Sequence, residues 1–192
     1  MRNRVWMVAV LAWAGCGAAS STGSTTPAPT APASASQFLQ AVDIALAGHS
    51  EALVFEVEID DGAHPGFLEV EYWEGDLPHE VFIDPGSMSV VAEAPDEVEP
   101  SEEEARLAVR SHLRDGRGDL RAALNAGLLS SHDVAAVQEV ELTILDGHYV
   151  IGVEVLRDGA RSMFYHAIDG TYLGTAEETL AYYAARPGQG HD

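Results

Sequence analysis

The sequence contains no lysine and a single cysteine, Cys16. One cysteine excludes an intrachain disulfide, so the fold depends on packing alone. The arginines are outnumbered by 31 acidic residues, which leaves a formal net charge of −21. Nucleic-acid binding rests on cationic side chains that displace phosphate counterions, so this balance predicts no nucleic-acid partner. A basic protein partner or divalent cations are compatible with it, and so is a merely solubilising acidic surface.

Catalytic signatures are absent as well. The 8 histidines include no HExxH motif and no pair spaced i, i+4, although paired strands could bring His148 and His166 together. Cys16 lies near the N-terminus and leaves no thiol nucleophile in the rest of the chain. The acidic pair in IDDG (59–62) is expected to form a hairpin turn rather than a calcium loop. We therefore predict a non-enzyme with no catalytic residue, no cofactor and no metal centre.

The N-terminal segment has the parts of an export signal. Arg2 and Arg4 precede an apolar stretch at 5–13. That stretch is far shorter than the roughly 20 residues that a membrane-spanning helix needs. We therefore expect the segment at 1–15 to be a signal peptide rather than a retained anchor.

Cys16 is the candidate lipidation site. Ala14 and Gly15 before it resemble the lipobox of bacterial lipoproteins, although Trp13 stands where that pattern usually has an aliphatic residue. The resemblance implies cleavage before Cys16 and a lipid on its thiol. The protein would then be anchored in the bacterial cell envelope, and Gly17 favours the outer membrane, facing the periplasm or the cell surface. An ordinary secretory signal, cut near 18–19 and leaving no lipid, is the alternative.

Composition divides the remaining chain into segments. After the cysteine come about twenty residues of Ser, Thr, Pro, Ala and Gly, which cannot bury enough surface to offset the entropy of ordering them. We expect a flexible linker at 16–36, a first repeat at 37–94, an acidic linker at 95–101, a second repeat at 102–178 and a C-terminal tail at 179–192.

The folded part repeats itself. The segment at 54–73 aligns with that at 137–156 at a constant offset, and 79–91 aligns with 161–173 at an offset one residue shorter. A helical pattern precedes each aligned segment, so each copy is a helix followed by three or four alternating strands. The predicted fold class is α+β, with two helix-plus-antiparallel-meander units packed as one domain with a continuous sheet.

Local signals bound the predicted helices. The first helical pattern ends at Gly48, and the second begins with a capping-box pattern at Ser101 and Glu104 and ends at Gly116. The second copy also has an extra amphipathic piece at 119–129.

Alternation assigns the strand residues to two faces. The apolar set is expected to face the helices: Val57, Ile59, Val70, Tyr72, Val81, Ile83, Val140, Leu142, Ile151, Val153 and Val155. The opposite face carries the candidate partner-facing residues Glu56, Glu58, Glu69, Glu71, Glu139, Glu141 and Glu154.

Crowded glutamates on one face need a reason, since like charges on neighbouring strands destabilise a sheet. Solvation is one reason; a basic partner or a divalent cation is the other. Phe67, Trp73 and Phe82 are candidates for exposed aromatic residues on the same face, although Phe82 could instead pack between layers.

The helix-then-meander unit, with its EVEI strand and its VFIDPGSMSVV close, resembles the PepSY family. Asp84, Gly86, Val90 and Val91 fit the family's closing pattern, whereas the second copy has His166 in place of the aspartate. Tandem units of this kind are also similar to the duplicated architecture of the β-lactamase inhibitor protein.

The resemblance implies a binding or inhibitory module and supplies no active-site residue. Peptidase inhibition is its most concrete version, and the partner would be a protease or an envelope protein. A structural or assembly lipoprotein of the envelope and a divalent-cation-binding periplasmic protein are the alternatives.

Overall fold

The computed structural model describes residues 33–62, 64–96 and 103–186. The predicted signal peptide, Cys16 and most of the predicted linker lie outside the described residues, as does Ser101 of the predicted capping box.

In each copy a helix precedes four strands, in the order that the repeat predicts, and one more helix follows the last strand. The elements are α1 (Ala35–Gly48), β1 (Leu53–Ile59), β2 (Leu68–Glu74), β3 (Leu77–Asp84), β4 (Ser89–Pro95), α2 (Glu103–Arg114), α3 (Leu120–Asn125), β5 (Val137–Leu145), β6 (His148–Arg157), β7 (Ala160–Ala167), β8 (Tyr172–Gly174) and α4 (Ala176–Ala184). Two 3₁₀ turns, Leu128–Ser131 and Val134–Ala136, connect α3 to β5.

The strands form one antiparallel sheet in the order β4-β3-β2-β1-β5-β6-β7-β8. Each repeat contributes a four-stranded meander, and the two meanders join through their first strands. The α+β class and the continuous sheet are therefore confirmed.

The junction between β1 and β5 shows the duplication most clearly. Val57 pairs with Val140, and these two residues occupy equivalent positions in the aligned copies. The pairing between first and second strands also shifts at equivalent places, between Val54 and Glu56 in one copy and between Val137 and Glu139 in the other. The two copies thus share a β-bulge as well as a strand order.

The ends of the helices follow local chemistry. Ser34 caps α1 in a capping box with Gln37, so the fold begins inside the segment that was expected to be linker up to residue 36. Gly48 is the last residue of α1, and Gly116 takes a positive φ of 71° just after α2, as its predicted role in ending that helix requires.

The C-terminal helix α4 crosses the expected boundary between the second repeat and the tail at residue 178. Its Thr179 and Tyr183 are buried, because α4 packs on β7 and β8. The Tyr183 ring also stacks on that of His148 with centroids 4.1 Å apart.

The core lies on the side of the sheet predicted to be apolar. Phe38, Val42 and Ala45 of α1 are buried in it, and α1 packs on β1 and β2. The predicted apolar strand residues are all buried except Ile59, which is half-buried and packs against the core. Among the described residues, none of the helices is long and apolar enough to span a membrane.

Candidate functional site

The glutamates of the opposite face form two rows across the strands. One row runs through directly paired positions from Glu80 of β3 to Glu71, Glu56 and Glu141. The second row is made of Glu69, Glu58, Glu139 and Glu154. We call these eight residues the glutamate face.

The structure therefore brings together all seven glutamates that the sequence singled out. It adds Glu80, which the sequence analysis missed. The signal was present, because Glu80 alternates with the apolar residues Val81 and Ile83 in β3 and pairs with Glu71.

Burial distinguishes this face from an ordinary solvated surface. Glu69 and Glu71 are each only 7% exposed, and the other six glutamates are half-buried. Carboxylates so placed lose hydration and meet one another's charge, and both effects favour the neutral acid.

The pKa values reflect that environment. Burial, followed by the nearby Glu139, raises the pKa of Glu58 to about 7. Burial and then Glu58 and Glu71 raise the pKa of Glu69 to about 9. Burial also raises the pKa of Glu71 to about 8, against an opposing effect of Arg106, and it raises the pKa of Glu56 well above its ordinary value. Part of the glutamate face therefore holds protons near neutral pH.

Two arginines contact the glutamate face from different elements. Nη1 of Arg106 in α2 lies 2.6 Å from Oε2 of Glu71 and 2.6 Å from Oδ2 of Asp96. Arg161 of β7 lies 2.9 Å from Glu154 and 2.6 Å from Asp61. The face thus already binds guanidinium groups of its own chain.

A cavity of about 430 Å³ opens beside the centre of the glutamate face. Apolar side chains of Phe55, Val109 and Leu142 line it, together with Arg106 and with three of the glutamates, Glu56, Glu139 and Glu141. One carboxylate oxygen from each of these three glutamates lies within 4.8 Å of the others. The cavity therefore combines an apolar wall with three closely spaced carboxyl groups.

The aromatic residues expected to be exposed on this face are not exposed. Trp73 is buried because the Arg110 guanidinium lies over it, 5.0 Å from the ring centroid, and Phe55 packs beside it. Phe82 is buried against the ring of His64, with centroids 4.5 Å apart. Phe67 is half-buried.

The histidines also depart from expectation. His148 lies on Tyr183 of α4, and His166 instead meets His132, which precedes β5 in the chain. The IDDG segment is a turn, as predicted: Asp60 is buried and accepts hydrogen bonds from the backbone N–H groups of Gly62 and His64.

Comparison with known proteins adds little. No protein-family model matches the chain, and no curated protein matches it. A solved structure of a proposed lipoprotein from Clostridium difficile 630 is similar in fold, at 14% identity and a TM-score of 0.41, over 69% of this chain and 87% of that one. A likeness of this degree assigns no function, and the resemblance to the PepSY family stays a prediction.

Proposed function

We propose that the protein is an exported, lipid-anchored and non-catalytic binding module whose glutamate face binds a basic segment of a protein partner. The lipobox-like residues before Cys16 support the export and the anchor. The cavity beside the glutamate face is the observation that carries the binding function.

The cavity matches the chemistry of a lysine or arginine side chain. Such a side chain has an apolar stem and a cationic head. The stem would pack on Phe55, Val109 and Leu142, and the head would meet Glu56, Glu139 and Glu141. A cation brought to these carboxylates would also relieve their mutual repulsion.

Arg106 shows this mode of binding within the chain. Its guanidinium contacts Glu71 at 2.6 Å and lies over the Phe55 ring, 5.3 Å from the centroid. A partner arginine would repeat the same combination of carboxylate and aromatic contacts one strand further along the row. The net charge of −21 would in addition attract a basic partner at long range.

A binding experiment tests the proposal. A fluorescent arginine-containing peptide is titrated into the wild-type protein and into the double variant E139Q/E141Q. We expect the double variant to bind at least tenfold more weakly, because it removes two of the three carboxylates at the cavity. The matched control is E51Q/E177Q, which removes two exposed charges elsewhere and should change the affinity less than twofold. Equal weakening in both variants would mean nonspecific attraction and would overturn the proposal.

Peptidase inhibition is the narrower form of this proposal, and it rests on the resemblance to the PepSY family. The purified protein should inhibit a thermolysin-like metalloprotease at micromolar concentration without being cleaved, and E139Q/E141Q should lose that inhibition. If the peptide binds and no protease of a broad panel is inhibited, the partner is an envelope protein and the role is structural or in assembly.

Divalent-cation binding is the second candidate function. The three carboxylate oxygens of Glu56, Glu139 and Glu141 are close enough to share one ion, and oxygen ligands suit Ca²⁺. A calcium-dependent rise in melting temperature that E139Q/E141Q abolishes would support it. An unchanged melting temperature up to millimolar calcium would contradict divalent-cation binding.

A further inference from the structure

The second repeat carries an inserted segment, residues 119–136, between α2 and β5. It contains α3 and the two 3₁₀ turns, and the aligned first repeat has no counterpart. Leu128 and Leu129, in the middle of the segment, are buried, and His132 lies near its end. Nε2 of His132 is 2.8 Å from Nε2 of His166 in β7. The inserted segment is thus joined to the sheet by a contact between two imidazoles.

The tautomers of this pair follow from their neighbours. Nδ1 of His166 is 3.1 Å from the backbone oxygen of Gly170. A carbonyl oxygen only accepts, so Nδ1 of His166 carries the hydrogen and its Nε2 is the acceptor. His132 must then donate from its own Nε2. With this arrangement both rings are neutral.

Acid changes the number of protons that the pair must hold. One added proton can bind Nδ1 of His132 while its Nε2 still donates to Nε2 of His166, so the contact is kept. A second proton leaves two N–H groups facing each other at hydrogen-bond distance, and two positive charges beside them. The doubly protonated pair cannot keep this contact.

The surroundings oppose a positive charge at this site. His166 is completely buried. Burial lowers the pKa values of both histidines, that of His132 to about 4, with a further effect of Arg157 on His132. Tyr172 of β8 meets both rings edge-on, and the carboxylate of Asp169 is bound to the N–H of Thr171. Asp133, next to His132 in the chain, is exposed.

We propose that His132 and His166 form an acid-operated latch, in which protonation of both imidazoles releases residues 130–133 from β7 and β8, while Val134 and Ala136 stay packed against the core. Release would uncover Phe164, whose ring lies 5.6 Å from that of His132 and 6.5 Å from the ring of Tyr172, which is already 47% exposed. The inserted segment would stay attached through Leu128 and Leu129. A local opening would thus expose an aromatic patch without unfolding the sheet.

Hydrogen–deuterium exchange of the whole protein tests the latch. Protection factors are compared at pH 7 and pH 4, so that the intrinsic pH dependence of exchange is removed. In the wild-type protein we expect the protection of residues 130–133 to fall at least tenfold at pH 4, while β5 and β6 stay protected. The variant H132Q keeps a hydrogen-bond donor without a titrating ring, and its protection should stay constant. H64Q, which leaves both latch histidines in place, should behave like wild type.

Two results would overturn the latch: constant protection in the wild-type protein, or the same loss in H132Q. Loss of protection throughout β5 and β6 would also contradict a local opening. If H132Q does not fold, the imidazole nitrogen resonances of the wild-type protein decide the matter. They should show the hydrogen on Nδ1 of His166 and on Nε2 of His132 at pH 7, and both nitrogens of both rings protonated in the released state.

Discussion

The same strands carry two faces of opposite character. On the helix side, valines of five neighbouring strands form a buried row across the sheet: Val81, Val70, Val57, Val140 and Val153. On the other side, one residue along each strand, the paired positions hold the glutamate face. The valine row gains from burial, whereas directly opposed like charges cost about 0.2–1 kcal/mol per pair.

This difference shows that strand alternation sets the faces but does not make them equivalent in energy. The valine row stabilises the fold at any pH. The glutamate face is tolerable because burial and repulsion shift its carboxyl groups toward the neutral acid. Of these two faces, only the glutamate face should therefore make the stability of the protein depend on pH.

The largest expected effect is on the pH dependence of stability. The folded-state pKa values of Glu58, Glu71 and Glu69 are raised to about 7, 8 and 9, so the native state holds protons that the unfolded chain releases. The stability that these groups contribute is fully present below their ordinary pKa of 4.5, and it is lost as pH rises from there through the folded values. We expect the free energy of unfolding in urea to fall by at least about 3 kcal/mol between pH 5.5 and pH 8.5; this is less than the three full shifts would give, because the carboxyl groups share protons and water screens the partly exposed ones.

Urea is the denaturant for this measurement because it carries no charge and leaves the carboxylates unscreened. A free energy of unfolding that stays constant or increases over this pH range would show that the glutamate face does not titrate as described. The latch histidines act in the opposite direction, since their lowered pKa values remove stability only as pH falls below their ordinary value of 6.5.

A substitution in the valine row should have a smaller effect on the free energy of unfolding. The change V57A removes two methyl groups from a fully buried position at the junction of the two repeats. It should lower the free energy of unfolding by about 2 kcal/mol, and by the same amount at both pH values, because no charge is involved. The control is V90A on the edge strand β4, where the side chain is 49% exposed and the loss should stay below about 0.5 kcal/mol. A strongly pH-dependent loss in V57A would mean that the two faces are coupled through the backbone.

Much of this architecture could be predicted from the sequence, because alternation and duplication are local or repeated signals. They gave the strand faces, the glutamates and the continuous sheet. The pairing of β1 with β5 could not be predicted in the same way. It places Glu56 opposite Glu141 and Glu58 opposite Glu139, and no local pattern fixes the register of strands so distant in the chain.

The other differences between the sequence-based predictions and the structure also come from long-range packing. Trp73 is buried because Arg110 of α2 packs over its ring. His166 contacts His132 because the inserted segment packs against β7. Periodicity in β2 or β7 contains no information about a neighbour that comes from another element. The burial of Glu69 and Glu71 is likewise a property of the assembled sheet.

The smallest expected effect separates the glutamates that repel from those that are paired. Glu58 lies between Glu69 and Glu139, so E58Q should raise the free energy of unfolding by about 1 kcal/mol more at pH 8.5 than at pH 5.5. The matched change E154Q removes the same charge from the same row but breaks the contact with Arg161, and we expect no gain from it at either pH. Equal gains in both variants would mean that only the total charge of the protein matters, and the distinction between repelling and paired positions on the glutamate face would fail.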